Sequence, residues 1–202
     1  MLRSKLLLAT NNRGKVREYK SLLGDLPYEL TTLAEQGIAS TVEEVGRSLE
    51  ENARLKAVAW AAEGHLLTLA DDSGLEVDAL GGEPGPLSAR YAGEGASDRD
   101  RVSYLLARLK DVPQDNRSAR FRCVIAIATP GGKIELCSGE CPGFITVEPR
   151  GEDGFGYDPV FYLPELGKTM AELTLEAKNR ISHRGQAARK VSRALKKLED
   201  GN

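Results

Sequence analysis

Residues 66–74 read Leu66-Leu67-Thr68-Leu69-Ala70-Asp71-Asp72-Ser73-Gly74. An apolar run leads straight into two carboxylates, a hydroxyl and a glycine. A strand covered on both faces reads as a continuous apolar run rather than an alternating one. The stretch therefore predicts a buried strand that ends in Asp-Asp-Ser-Gly at the rim of a sheet. In open α/β folds that rim is where ligands bind. Two adjacent carboxylates repel and are costly to desolvate unless a cation or proton shares the site. An ordinary strand-to-turn exit accounts for the same residues, since Asp, Ser and Gly are common in turns.

Working outward, Leu6-Leu7-Leu8-Ala9 is a second continuous apolar run and the expected first buried strand. It passes through Thr10-Asn11-Asn12-Arg13-Gly14-Lys15 into a helix with Val16, Tyr19, Leu22 and Leu23 on one face. A strand that turns through small polar residues into a helix start gathers free backbone N–H groups and the positive dipole end at one place. Its glycine spacing matches neither the Walker A nor the GxGxxG pattern. A plain Asn/Gly turn remains an alternative. Residues 29–33 read as a short strand and 41–46 as loop. Ser48 caps the next helix with Glu51 as capping-box partner, and Leu49, Ala53, Ala57, Trp60 and Ala61 form its inner face. Glu43 and Glu44 precede it, where carboxylates also complement a helix dipole.

After Gly74, Leu75-Glu76-Val77 is a candidate extension of the strand, and Gly81 to Pro86 form an irregular loop. Ser97 caps a helix with Val102, Leu105, Leu106 and Leu109 at helical spacing, ended by Pro113. Ala119, Phe121, Cys123, Ile125 and Ile127 give a clear strand, turned at Pro130-Gly131-Gly132. Lys133 to Glu140 return as its hairpin partner, and Phe144 to Val147 form another antiparallel piece. Gly151 to Pro159 form a glycine-rich loop holding Phe155, Tyr157 and Asp158, followed by a short strand at 160–162. Thr169 and Glu172 make a capping box, Lys178 falls in or after a short helix, and Ser182 caps the last helix. That helix opens on His183-Arg184 and turns Ala187, Val191, Ala194, Leu195 and Leu198 inward.

The totals exclude several classes. A net charge of −2 gives no bulk electrostatic case for nucleic acid or an anionic membrane. Three cysteines without a CxxC pair, and only two histidines, argue against a zinc site. The apolar run Leu6–Ala9 is too short to span a membrane, and the chain is expected to be cytoplasmic. The basic segment after residue 176 is a solvated helix face or one wall of an anion site. With no repeat or linker, residues 1–202 are expected to form a single domain.

Together the pieces offer phosphate contacts, carboxylates for a divalent cation, aromatics for base stacking, and donors in Lys178, His183 and Arg184. Hard carboxylate oxygens with phosphates are the usual ligands of Mg2+, which suits metal-assisted hydrolysis of a nucleoside triphosphate. The chain resembles the inosine triphosphate pyrophosphatase family, the Ham1-like or RdgB-like dITP/XTP pyrophosphatases. The resemblance runs nearly end to end. It is carried by Ala9 to Lys15, Glu51-Asn52-Ala53 with Lys56-Ala57, and Ala70 to Leu75. Leu80 to Gly85, Ser88 to Tyr91, Gly154 to Pro159 and Ile181 to Gly185 also match. At Asn11 many members carry Gly.

The resemblance implies an α/β fold with an elongated mixed central sheet, flanking helices and two lobes around an active-site cleft. It implies hydrolysis of ITP, dITP and XTP to the monophosphate and pyrophosphate, Mg2+ dependence and a homodimer. Carried over by position, Thr10, Asn11, Asn12, Arg13, Gly14 and Lys15 bind phosphates. Asp72 accepts a proton and, with Glu44, binds the metal, and Ser73 touches the substrate. Phe155, Gly156, Tyr157, Asp158, Lys178, His183 and Arg184 hold base and sugar. Because successive strand side chains point to opposite faces, Asp72 is expected to face the substrate and Asp71 to support the site from the other side. Two other readings remain: a pyrophosphatase for modified pyrimidine triphosphates, and a non-catalytic nucleotide- or RNA-binding module using the basic last helix.

Overall fold

The computed structural model describes residues 3–200, with side chains through residue 197; the expected inward-facing Leu198 lies outside the described side chains. Along the chain run β1 (Lys5–Leu8), α1 (Arg13–Leu23), β2 (Glu29–Thr32), α2 (Leu49–Gly64) and β3 (Leu67–Val77). Then come α3 (Asp98–Arg108), β4 (Ser118–Ala128), β5 (Ile134–Ile145), β6 (Phe161–Leu163) and β7 (Lys168–Thr169), and finally α4 (Leu175–Ile181) and α5 (His183–Asp200). The sheet has seven strands in the order β2-β1-β3-β4-β5-β6-β7. β1 pairs in parallel with β2 and β3, whereas β6 pairs antiparallel with β5 and β7. This is the expected mixed sheet with flanking helices. Among the described residues no helix is long and apolar enough to cross a membrane.

The chain divides into two compact units. The first comprises Met1–Asp72, Cys123–Gly139 and Arg184–Asn202; the second comprises Ser73–Arg122 and Glu140–His183.

In the first unit, strand alternation builds two cores. Leu6, Leu8, Leu69, Cys123, Ile125 and Ile127 pack with Tyr19 and Leu23 of α1 and with Ala187, Val191 and Leu195 of α5. Their chain neighbours Leu7, Ala9, Ala70, Val124, Ala126 and Ala128 pack with Leu49, Ala53, Ala57, Trp60 and Ala61 of α2. One residue of offset thus moves a side chain from the α1/α5 layer to the α2 layer. The continuous apolar runs follow, since both faces are covered. On α1, however, Glu18 takes a buried place beside Tyr19 and Leu23, while Val16 and Leu22 are only half-buried.

The second unit has its own core, in which Leu75, Val77, Leu105, Phe121, Cys141, Ile145, Val160, Phe161 and Met170 meet. Ser97 and Asp100 close a reciprocal capping box at the start of α3, and Thr169 with Glu172 does so for the turn at 170–172.

Four local expectations are corrected. The acidic stretch does not end a strand: β3 runs through it to Val77, so Leu75-Glu76-Val77 do extend the strand, as the other reading of these residues has it. Phe144 and Ile145 are not a separate strand but the end of β5, and Val147 lies beyond it and is exposed. α3 stops at Arg108, before Pro113 is reached. Ser48 does cap α2, accepting from Glu51 N at 3.2 Å, but the Glu51 carboxylate accepts from Arg47 N at 2.6 Å instead of closing the box on Ser48.

Candidate active site

The two aspartates continue the alternation of β3. Asp71 follows the parity of Leu69 and meets the α1/α5 layer. Its Oδ2 lies 2.9 Å from Lys15 Nζ and 3.7 Å from an Arg184 guanidinium nitrogen. Arg184 also donates to Glu18 Oε2 at 2.5 Å. These four charges are two of each sign, and Glu18, Asp71 and Arg184 are buried. Buried ions persist only in such paired arrangements. Burial pushes the Asp71 carboxyl upward, but Lys15, Arg184 and Lys56 outweigh it and hold the group below the usual carboxylate range.

Asp72 follows the parity of Ala70 and meets α2. Its Oδ2 accepts from Asn52 Nδ2 at 3.1 Å, and its Oδ1 accepts from Lys56 Nζ at 3.2 Å. Asn52 and Lys56 are four residues apart, hence on one helical face, beside the apolar stripe of Ala53 and Ala57. Lys56 Nζ also donates to Glu44 Oε1 at 2.5 Å. Asn52 Oδ1 in turn accepts from Gly46 N at 2.8 Å. A Cβ on Gly46 would sit 2.5 Å from that oxygen, so glycine is what lets the loop carrying Glu44 close onto α2. Glu43, by contrast, is exposed. Burial raises the Asp72 carboxyl above its ordinary value; Lys56 and Lys15 pull it back and Glu44 adds to the rise. For Lys56, burial works against the charge, but Asp72, Asp71 and Glu44 prevail and its value rises.

Residues 10–15 join β1 to α1. Thr10 Oγ1 accepts from Asn12 N at 3.2 Å, and Asn12 is the N-cap of α1, its Oδ1 accepting from Lys15 N at 3.1 Å. Arg13, Gly14 and Lys15 form the first helical turn, and Asn11 and Arg13 are exposed.

In the second unit, the loop 154–158 and α4 come together. Asp158 Oδ2 accepts from Phe155 N at 2.9 Å and pairs with Lys178 Nζ, with both side chains buried. The same ammonium lies 4.8 Å from the centre of the Phe155 ring, a cation–π contact. Gly154 has φ +83, and a Cβ there would fall 2.1 Å from Asp158 Oδ2; only glycine lets the carboxylate fold back under the loop. Tyr157 is buried and donates to Ser88 O at 2.9 Å. His183 is buried with its ring stacked on Phe121, centroids 4.7 Å apart. Ser73 is half-buried on β3.

The structure thus groups Asp72 with Glu44, and Phe155 and Asp158 with Lys178. Lys15 and Arg184 are gathered at Asp71, and His183 stands against Phe121. Sequence reading gave no role to Asn52, Lys56 or Glu18. The signal was available in part: a buried-face Asn and Lys one turn apart beside an alanine stripe demand polar partners. Among the described residues no group of three or more His, Cys, Asp or Glu is gathered for a metal ion. Asp72 and Glu44 meet on the Lys56 ammonium, and two such hard carboxylate donors are of the kind Mg2+ takes, which binds one or two protein carboxylates and completes its shell with water and substrate phosphates.

Comparison with known proteins follows the same lines. Residues 6–194 match the sequence profile of the Ham1 family. A dITP/XTP pyrophosphatase of Desulforamulus reducens is 53% identical over 194 residues, covering 96% of each chain. That of Bacillus subtilis is 47% identical over 94% of this chain and 96% of its own. That of Shigella flexneri is 50% identical over 95% and 98%. Among solved structures, a HAM1 protein from Coxiella burnetii superposes with a TM-score of 0.87 at 41% identity, covering 96% of this chain and 99% of that one. The Staphylococcus aureus Ham1 protein gives 0.86 at 42% identity, covering 96% and 100%.

Proposed function

The chain belongs to the Ham1 family, and from that premise we propose that it is a nucleoside-triphosphate pyrophosphatase for noncanonical purines, hydrolysing ITP, dITP and XTP to the monophosphate and pyrophosphate. Such an enzyme removes deaminated purines from the nucleotide pool. The observation that carries the reading is the buried Asp72 carboxylate, fixed at both oxygens by Asn52 and Lys56 with Glu44 on the same ammonium.

In this reading Asp72 accepts the proton of the water that attacks the α-phosphorus, and pyrophosphate leaves. A carboxylate with raised proton affinity is a better base near neutral pH, and burial supplies that rise for Asp72. Asn52 and Lys56 keep it oriented and ionised. Asp72 and Glu44 would hold Mg2+, which when bound neutralises phosphate charge and makes water easier to deprotonate. Thr10 to Lys15 bind the phosphates at the start of α1, where the positive end of the helix dipole favours an anion. Ser73 contacts the substrate.

Phe155, Gly156, Tyr157, Asp158, Lys178, His183 and Arg184 hold the base and sugar. Hypoxanthine and xanthine present a 6-keto acceptor where adenine presents an amino donor. Facing adenine, a buried donor aimed at that position meets a second donor instead of an acceptor, at a cost of about 1–3 kcal/mol. The reading extends to a Mg2+ cofactor, a homodimer and a cytoplasmic location.

Pyrophosphate release from ITP, XTP, dATP, dGTP and dUTP, with and without Mg2+, tests it. ITP and XTP are expected to lead, with turnover lost on chelation. Equal rates on all five overturn the keto-purine preference, and undiminished turnover in Asp72→Asn overturns the catalytic role.

A further inference from the structure

Asp98 is the first residue of α3, where an acidic side chain ordinarily just complements the helix dipole. Here that duty is already discharged. Ser97 Oγ accepts from Asp100 N at 3.2 Å, and the Asp100 carboxylate accepts from Ser97 N at 2.9 Å. The Asp98 carboxylate instead reaches across 58 residues of sequence, its Oδ2 accepting from Gly156 N at 2.7 Å. Its other oxygen pairs with Arg101. Arg101 is itself held by two backbone carbonyls, Ala89 O at 3.0 Å and Ala96 O at 2.6 Å. Gly156 has φ +64, a left-handed conformation that glycine adopts readily, and the Asp98 carboxylate meets its N–H there.

We propose that Asp98 is a positioning residue for substrate selection: it clamps the Gly156 amide and so fixes the angle at which Phe155 and Lys178 present themselves to the purine. This rests on the reading above, that residues 155–158 hold the base. The loop is then tied at two points to one segment, at Gly156 through Asp98 and at Tyr157 through the Ser88 carbonyl. Asp158 closes it internally on Phe155 N. A charge-assisted bond to a backbone N–H is about twice as strong as a neutral one, and it is made by the Asp98 oxygen that does not pair with Arg101. Asp98 touches no reacting atom in this assignment, so its removal weakens recognition and leaves the chemical step alone.

The test uses the full chain with ITP. In Asp98→Ala, hydrogen exchange at the Gly156 amide is expected to accelerate, KM for ITP to rise about tenfold, and kcat to stay within about twofold. Asp98→Asn, which retains an acceptor oxygen, is expected to restore slow exchange and most of the KM. Arg101→Gln removes the ion pair but keeps the clamp, and is expected to leave Gly156 protected. Should Asp98→Ala fail to fold, Asp98→Glu keeps the charge while displacing the acceptor, and is expected to shift exchange and KM in the same direction. Unchanged Gly156 exchange in the folded variant overturns the clamp. So does an equal acceleration in Arg101→Gln, which would trace the effect to the start of α3. Faster exchange with an unchanged KM leaves the clamp standing and overturns the assignment of the loop to the base.

Discussion

Asn52 donates from Nδ2 to Asp72 Oδ2 at 3.1 Å while its own Oδ1 accepts from Gly46 N at 2.8 Å. One amide therefore couples the orientation of the proposed base to the loop that carries Glu44. Asn52→Leu keeps the volume and removes both bonds. Bonds to charged groups contribute about 1.5–3 kcal/mol, so kcat for ITP is expected to fall about 10- to 100-fold, with a smaller change in KM. Steady-state kinetics check this; a variant with wild-type kcat would show that Lys56 alone orients Asp72.

Lys56 supplies the positive charge between Glu44 and Asp72. Lys56→Met leaves those two carboxylates without its ammonium, which is expected to destabilise the cation-free protein by about 3 kcal/mol. A ligand that binds only the folded state stabilises it by mass action. Added Mg2+ is therefore expected to raise the melting temperature of Lys56→Met more than that of the parent chain. Thermal unfolding across a Mg2+ titration reads both effects, and equal Mg2+ shifts in the two proteins would separate Lys56 from the cation position.

Gly74 lies in β3 with its α-carbon pressed on a neighbouring turn. A Cβ at this position would stand 2.3 Å from Gly85 O and 2.8 Å from Gly85 C. Backbone cannot step aside as a side-chain tip can, so Gly74→Ala is expected to cost about 1–3 kcal/mol by overpacking. The same turn is fastened by Ser88 Oγ, which donates to Gly85 O at 2.6 Å and accepts from Leu75 N at 2.9 Å. Urea denaturation measures the loss; a neutral result would mean that the turn at 85–90 is free to retreat.

The three cysteines are buried and unpaired with one another. Burial pushes the Cys123 thiol up to about 12, helped by the charge of Asp71. Burial likewise raises Cys137 and Cys141 to about 11. The thiolate is the reactive form, and at pH 8 all three stay protonated in the folded chain. A disulfide-exchange reagent is expected to titrate almost no thiol at pH 8 and all three after denaturation in guanidinium. Rapid reaction in the native state would contradict the burial of these side chains.

Much of the frame was legible in the residues. Leu6–Ala9 and the alternation from Ala119 to Ile127 give strands covered on both faces, and Ser97 marks a helix start. Two of the misreadings share one cause: a neighbour far away in sequence overrode a local signal. Asp71 to Gly74 has turn composition, yet the strand continues because Lys15 and Lys56 meet the carboxylates and the Gly85 carbonyl fills the space beside Gly74. Pro142-Gly143 resembles a break, yet β5 continues. There the missing Cβ admits Tyr162 O and the Phe161 ring, which would stand 2.5 Å and 2.7 Å from it. In the site, acids and aromatics stood out by type. Asn52 and Lys56 did not, because their roles come from partners up to 20 residues away.

The two-residue period of β3 sorts hydrogen-bond and ion-pair partners to the two sides of the sheet. The proposed proton acceptor Asp72 and its neighbour Asp71 are consecutive in the chain, yet each makes its direct contacts on a different side, Asp72 with Lys56 and Asp71 with Lys15 and Arg184. Lys15 and Lys56 also act at longer range on the carboxylate opposite. Substitutions at Glu18 and at Asn52 can therefore accumulate separately, each within its own layer, whereas a change at Lys15 or Lys56 retunes both carboxylates. A single-residue insertion upstream in β3 has no such freedom. It would exchange the two carboxylates between layers at once and hand each set of cations the other's acid.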